Sequence, residues 1–348
     1  MKAKFLTGCR YAAAFLLAIA VSGCSLLPGG KDKSPEPTAP SLSEVVEVSE
    51  DYYGSITPYK PNQTRGMLSS ARYRIDFSHL ELGLMEFARD AFPTSQYYFQ
   101  EGQVVKKEQV TRWIAQEKAS GTKGQQKNGI LVHVLEHDYL NKKDKQLAGM
   151  VLGLSVSPNY QDATGKEMVY TQQELQASIV ATLRVSTPNV PMLILLYQVP
   201  EANSSLVPGH FIMSGTVGAS ESAVSKWQPI EEEFFLFPSA DVEKKYPQQS
   251  LQYDKLLRQA QAYFGEYVGM TGVGRFMDGR LTELTITATA EYDSRTEVLQ
   301  FTQYAAGSIN QLFDKSVHVN LYVQSMNKPL AIYIRPTSGE PYMHLYRQ

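Results

Sequence analysis

The chain has 348 residues, of which 43% are hydrophobic, 20% charged and 11% aromatic, with two cysteines and a formal charge of −2. That composition is too apolar and too weakly charged for a disordered polypeptide, and two cysteines are too few for a disulfide-stapled secreted scaffold. A pI near 6.3 gives no basic footprint for a nucleic-acid partner, and the length allows about two domains with a large core.

Lys2, Lys4 and Arg10 precede an uncharged run from Tyr11 to Gly23, and Cys24 follows at once. A basic end, a short apolar run and small residues make an export signal; the run is about half the ~20 residues a spanning helix needs. Val21-Ser22-Gly23-Cys24 has the form of a lipobox, in which small residues seat the chain for cleavage between Gly23 and Cys24 once the Cys24 thiol is diacylated. Two acyl chains supply anchoring that one cannot, at about 0.8 kcal/mol per buried CH₂. Cys9 leaves with the signal and Cys24 is consumed by lipid, so neither a disulfide nor a thiol catalyst is expected. Losing the three signal-peptide cations takes the formal charge to −5, so an anionic membrane surface repels the body and the lipid must hold it. Localisation on the outer face of the cytoplasmic membrane follows.

From Ser25 to about Asp51 the chain is rich in Pro, Gly, Ser, Lys and Glu, the composition of a tether with a reach of some tens of ångströms. Beyond it, Glu81 to Phe92 places Leu82, Met85, Phe87, Ala88 and Phe92 near one helical stripe, and Lys107 to Gln116 does so with Val110, Trp113 and Ile114. Between them QYYFQEGQ reads as a short strand and turn. Leu147 to Ser157, Pro191 to Val199, His210 to Val217 and Glu233 to Pro238 are strand-like, and Thr171 to Val185 is an amphipathic helix with Thr171 and Glu174 forming a capping box.

The C-terminal third repeats the order strand, helix, strand, strand through RLTELTITATAEYD, SRTEVLQFTQYAAGSINQLF, VHVNLYVQS and PLAIYIRP, with Ser294 and Glu297 as the second capping box. The expected fold is α+β, a roll-like body of two related units. The expected divisions are signal 1–23, lipidated cysteine and tether 24–51, and units 52–240 and 241–348, the joint lying in the Pro-rich, charged stretch 238–252.

His133-Val134-Leu135-Glu136-His137 matches HxxEH, the inverted zinc-peptidase pattern, in which a helix sets two histidines on one face beside a glutamate base. The alternative is a short helix whose histidines lie at its polar edge. Gly269 to Arg275 resembles a phosphate loop only loosely; a strand entering a hairpin at Asp278-Gly279 fits it better. Tyr59, Arg65, Arg72 and Arg74 stand with Tyr52, Tyr53 and Tyr73 in a segment of little periodicity. Such side chains suit a ligand groove, rings stacking on sugars or peptides and guanidinium forks gripping carboxylates; the competing reading is an arm packed across the domain. Glu231-Glu232-Glu233 reads as a solvated strand start. GxSxG and CxxC are absent from the sequence.

YYGSITPYKPNQTRGM (52–67), ELGLMEFARDAFPTSQYYFQEGQ (81–103), VLEHDYL (134–140) and LAGMVLGLSVS (147–157) together resemble the CamS family of Gram-positive lipoproteins, the sex-pheromone precursors. The resemblance runs from about Asp51 to the end. It implies an α+β body at the outer membrane face and a short peptide released from the signal just ahead of the cysteine, here within Leu17 to Gly23, although Ser22 and Gly23 depart from an all-hydrophobic pattern. Three functions are therefore carried forward. The first is a non-enzymatic lipoprotein, without cofactor, that binds a cell-wall fragment, peptide or envelope protein. The second is a zinc hydrolase using His133, Glu136 and His137, and the third a structural spacer.

Overall fold

The computed structural model describes residues 52–55, 58–67, 73–119, 131–157, 179–181, 183–184, 189–200, 209–264, 268–292, 294–326 and 328–347. Gly23, Cys24, the tether, Arg72 and the Thr171–Glu174 cap lie outside them.

Two mixed sheets form the body. The first runs in the order β1 (Gly54–Ser55), β2 (Tyr97–Glu101), β3 (Leu131–Asn141), β4 (Leu147–Val156), β5 (Met192–Gln198), β6 (His210–Val217) and β7 (Lys226–Pro229). The second is β8 (Glu232–Phe237), β9 (Gly269–Met277), β10 (Arg280–Thr289), β11 (His318–Ser325), β12 (Lys328–Arg335) and β13 (Tyr342–Leu345), again adjacent in chain order. Five helices have bounds within the described residues: α1 (Phe77–Ala88), α2 (Lys107–Ala119), α3 (Ala240–Lys245), α4 (Pro247–Phe264) and α5 (Arg295–Leu312).

The repeat read from sequence is a repeat of topology. From β2 to β7 every pairing is antiparallel except β4 with β5; from β8 to β13 every pairing is antiparallel except β10 with β11. Parallel neighbours need a long crossover. In the second unit that is α5; in the first, Ile179, Val180 and Leu183 are helical and fully buried on the way from β4 to β5. A helix also enters each sheet two strands earlier, α2 before β3 and α4 before β9. The fold is α+β with two related units, and the change of sheet falls between Pro229 and Glu232, so β8 belongs with the second sheet.

Burial explains the strand compositions. The first sheet is covered on both faces. Val134, Leu152, Leu154 and Ile194 pack with Val110 and Trp113 of α2, while Leu135, Val151, Leu195 and Tyr197 pack with Leu80, Leu84 and Ala88 of α1. Two buried faces demand a continuous apolar run, which β5 (MLILLYQ) supplies. In the second sheet Leu284, Ile286 and Leu321 pack with Leu256 of α4 and Phe301 of α5. The other face of β10 carries Thr285, Thr287 and Thr289, so RLTELTITAT alternates.

Four local expectations are corrected. Helix α1 starts at Phe77, because the Asp76 carboxylate accepts the His79 N–H at 3.0 Å as N-cap. The earlier start turns Leu80, Leu84 and Ala88 inward and leaves Leu82 55% exposed. The stretch 238–252 is not an interruption: Ser239 caps α3, and Pro247 opens α4 at the first helical position, where its missing N–H costs nothing. His133 to His137 lie in the middle of strand β3, not on a helix. Glu232 is buried, 2% exposed, rather than solvated. The Gly269–Arg275 stretch is strand β9 as expected, closed by Asp278 and Gly279 with φ of 49° and 72°, a primed hairpin turn.

The second capping box forms at its N-cap: Ser294 Oγ accepts the Glu297 N–H at 3.1 Å. Ser294→Ala is expected to lower stability by about 1 kcal/mol, read as a shift in urea midpoint with unchanged slope.

Candidate functional site

Strand β2 reaches only as far along β3 as His137, where Glu101 pairs with it. The edge of β3 beyond that point is closed by irregular chain. Gly102 N–H donates to the Glu136 carbonyl at 2.9 Å, Thr64 Oγ1 to the Val134 carbonyl at 2.9 Å and Asn62 Nδ2 to the Glu136 carbonyl at 3.4 Å. Asn62 Oδ1 in turn accepts from the Thr64 N–H and hydroxyl at 2.7 and 2.8 Å. Residues 59–67 thus form a strap across the end of the first sheet.

Glu101 holds the strap. Its carboxylate accepts from the Tyr59 hydroxyl at 2.7 Å and the Asn62 N–H at 2.6 Å, and it pairs with the Arg65 guanidinium. The fold therefore brings Tyr59 and Arg65 together, but on a carboxylate of the same chain: the fork that could grip a ligand grips Glu101. Arg65 remains 54% exposed at its side chain, so this ion pair is solvent-screened and adds little to stability. Arg74 is exposed on the segment leading into α1. The arrangement is that of a packed arm, with Tyr53 anchored through its hydroxyl to the Phe92 carbonyl at 2.5 Å.

Behind the strap lies a pair of buried carboxyls. Glu136 and Asp138 are two residues apart on β3 and share a face. The Val104 and Val105 N–H groups donate to Glu136 at 3.1 and 2.8 Å, and the Gln103 N–H to Asp138 Oδ2 at 3.0 Å. Burial, reinforced by the charge of Asp138, pushes Glu136 well above the carboxylate range. Burial raises Asp138 as well, and its hydrogen bonds from Gln103, Glu136 and Gln100 oppose the rise. Glu136 therefore keeps its proton in neutral water and donates it to Asp138. The loop can approach this closely because residue 102 is glycine; a Cβ there would stand 2.2 Å from Glu136 Cγ.

The HxxEH residues are separated by this geometry. On a strand the two histidines lie about 13 Å apart, and Glu136 points to the opposite face. His133 is held down to about 4 and His137 to about 3 by burial, so both are neutral. His133 Nδ1 lies 2.5 Å from the Met67 carbonyl, and the rings meet Phe77 and Phe99 edge-on. Chelation by this triplet depended on a helix, and the strand removes that basis.

A second charged cluster, missed in the sequence, lies where the two sheets meet. Glu232 of β8 accepts from Arg275 Nε at 2.6 Å and from the Phe211 N–H of β6 at 2.6 Å, with His79 Nε2 of α1 at 3.6 Å. Arg275 also reaches Glu86 of α1 at 2.8 Å. Burial alone would raise Glu232, but His79, Arg275 and the Phe211 N–H outweigh it and hold the carboxyl below its usual range.

The segments on which the family resemblance rested, 52–67 and 81–103, are the ones that meet at Glu101. Over residues 59–340 the sequence matches the family described as CamS sex pheromone cAM373 precursor. The chain belongs to the CamS family. Two solved CamS-type structures resemble this body. A sex pheromone precursor from Lactobacillus salivarius subsp. salivarius is 21% identical, with a TM-score of 0.73 over 87% of this chain and 98% of that one. The C-terminal domain of the staph-cAM373 precursor from Staphylococcus aureus is 20% identical, with a TM-score of 0.64 over 78% of this chain and 96% of that one. At these identities the CamS likeness concerns the fold. Among curated proteins none matches.

Proposed function

We propose that this CamS-family chain is an exported lipoprotein, held by a diacylated Cys24 on the outer face of the cytoplasmic membrane. Its body acts as a non-enzymatic binding module, and its signal peptide is the source of a short apolar peptide from within Leu17 to Gly23. The observation that carries this reading is the order basic residues, apolar run, Val21-Ser22-Gly23-Cys24 and Pro-rich tether ahead of the folded body. The pheromone-precursor description of the matching family agrees with it. Burial of His133, Glu136 and His137 supports a binding role over hydrolysis, since a catalytic base must reach its substrate. The partner proposed for the body is a component of the cell wall or envelope.

Cys24→Ala is expected to move the protein from the membrane fraction to the medium or to leave an unprocessed precursor, and mass spectrometry of the parent should find the acylated cysteine as its first residue. A parent protein that begins before Cys24 and carries no lipid would refute the reading.

A further inference from the structure

Because the two sheets share one topology, they have corresponding faces. In the first sheet the face turned away from α2 is apolar and lies under α1. In the second the face turned away from α4 and α5 carries hydroxyls, amides and rings, and most of it is open.

The pairing registers define that face as rows. Thr287 pairs with Tyr322, Tyr322 with Ile332, and Ile332 with His344. One step along, Thr285 pairs with Asn320, Asn320 with Ile334, and Ile334 with Tyr342. Paired residues project on the same side, so each row crosses four strands and spans roughly 14 Å at about 4.8 Å per strand. None of these eight side chains is buried; Tyr322 is 42% and Tyr342 56% exposed. The Tyr342 and His344 rings stack parallel within 5°, their centroids 6.5 Å apart, on the edge strand β13. Beside it the polar groups are already ordered: Asn320 Nδ2 donates to Glu283 Oε1 at 3.2 Å, and Gln324 Nε2 to Thr289 Oγ1 at 3.3 Å.

Charge narrows what such a face can hold. Neither row contains lysine, arginine or a carboxylate; in the adjoining row Arg275 is ion-paired with Glu232 and Glu86, and the Glu283 carboxylate accepts from the Asn320 amide. Among the described residues of these rows a polyanion would find no cation, and a polycation would meet only the single carboxylate of Glu283 at their border. An uncharged polyol fits: ring faces stack on its C–H surfaces and fixed amides and hydroxyls read its hydroxyls.

We propose that this open face of the second sheet, centred on Tyr322, Asn320, Tyr342 and His344, is a docking surface for an uncharged glycan strand. The inference deepens the binding role proposed above and rests on it for the source of the glycan, since a tether from Cys24 to residue 51 places the body among envelope polymers.

The test is calorimetric titration of the full chain, solubilised in detergent, with the N-acetylglucosamine hexamer. Saturable binding is expected, weakened at least tenfold by Tyr322→Ala or Tyr342→Ala and retained by Tyr322→Phe, which keeps the ring. Tyr263→Ala serves as the control; Tyr263 is on α4, behind the sheet, where it stacks on Tyr304. No saturable binding to the parent, equal loss in the Tyr263 variant, or tighter binding of a polyglycerol phosphate would overturn the proposal. The titration does not depend on where the protein resides, so its failure is separable from a failure of the Cys24 experiment.

Discussion

Replacing Arg275 by alanine is expected to lower stability by about 3–5 kcal/mol, the range found when one partner of a buried ion pair is removed. The Glu232 side chain is completely buried, and its carboxylate is balanced by the Arg275 guanidinium, the Phe211 N–H and the nearby His79 ring. Without Arg275 the carboxyl must either stay charged in a low-dielectric site or take up a proton, and both outcomes disfavour the folded chain. The effect reaches beyond one strand, because Arg275 on β9 also pairs with Glu86 on α1 and so joins the helix of one unit to the sheet of the other. Urea unfolding at pH 7 should show the lowered midpoint. The double variant Arg275→Met, Glu232→Gln should recover most of the loss, since it leaves no unpaired buried charge, Glu86 being half exposed. A single variant within about 1 kcal/mol of the parent would show that the pair is already solvated.

How far the sequence specifies this architecture depends on what covers each strand. In β10, Leu284, Ile286 and Ala288 alternate with Thr285, Thr287 and Thr289, and one dry face beside one wet face is what a period of two encodes. Strand β3 has no wet face over most of its length: Leu131 to Tyr139 are all buried. Its polar residues Glu136 and Asp138 point inward to backbone donors, so the alternation is lost. The His133–His137 spacing then misleads, because residues four apart share a face on a helix and on a strand alike. The start of α1 was hidden for a different reason. Asp76 caps the helix with His79, not an acid, at the third position, so no capping box announces it. At the site, Tyr59 and Arg65 could be singled out as side chains suited to gripping a carboxylate. Their partner Glu101 is 36 residues beyond Arg65, and only tertiary structure brings it there.

The buried carboxyl pair yields the second large effect. Because burial raises the Glu136 pKa above its ordinary value of 4.5, the folded state keeps a proton that the unfolded chain releases. Its contribution is therefore most favourable below about 4.5 and is lost progressively as pH rises toward the folded-state pKa, at up to about 1.4 kcal/mol per pH unit for one proton. Glu136→Gln removes that dependence while preserving the contacts. The amide oxygen still accepts the Val104 and Val105 N–H groups, and the amide nitrogen replaces the carboxyl proton as donor to Asp138. Asp138 Oδ1 otherwise lacks a partner in the buried interior. The variant should match the parent within about 1 kcal/mol at pH 4.5 and exceed it by about 2–4 kcal/mol at pH 8, as two to three pH units of lost proton linkage require. Denaturant melts at pH 4.5, 6 and 8 would measure this. Parallel stability curves for the two proteins would mean that Glu136 ionises normally in the folded state, with water reaching the pair behind the strap.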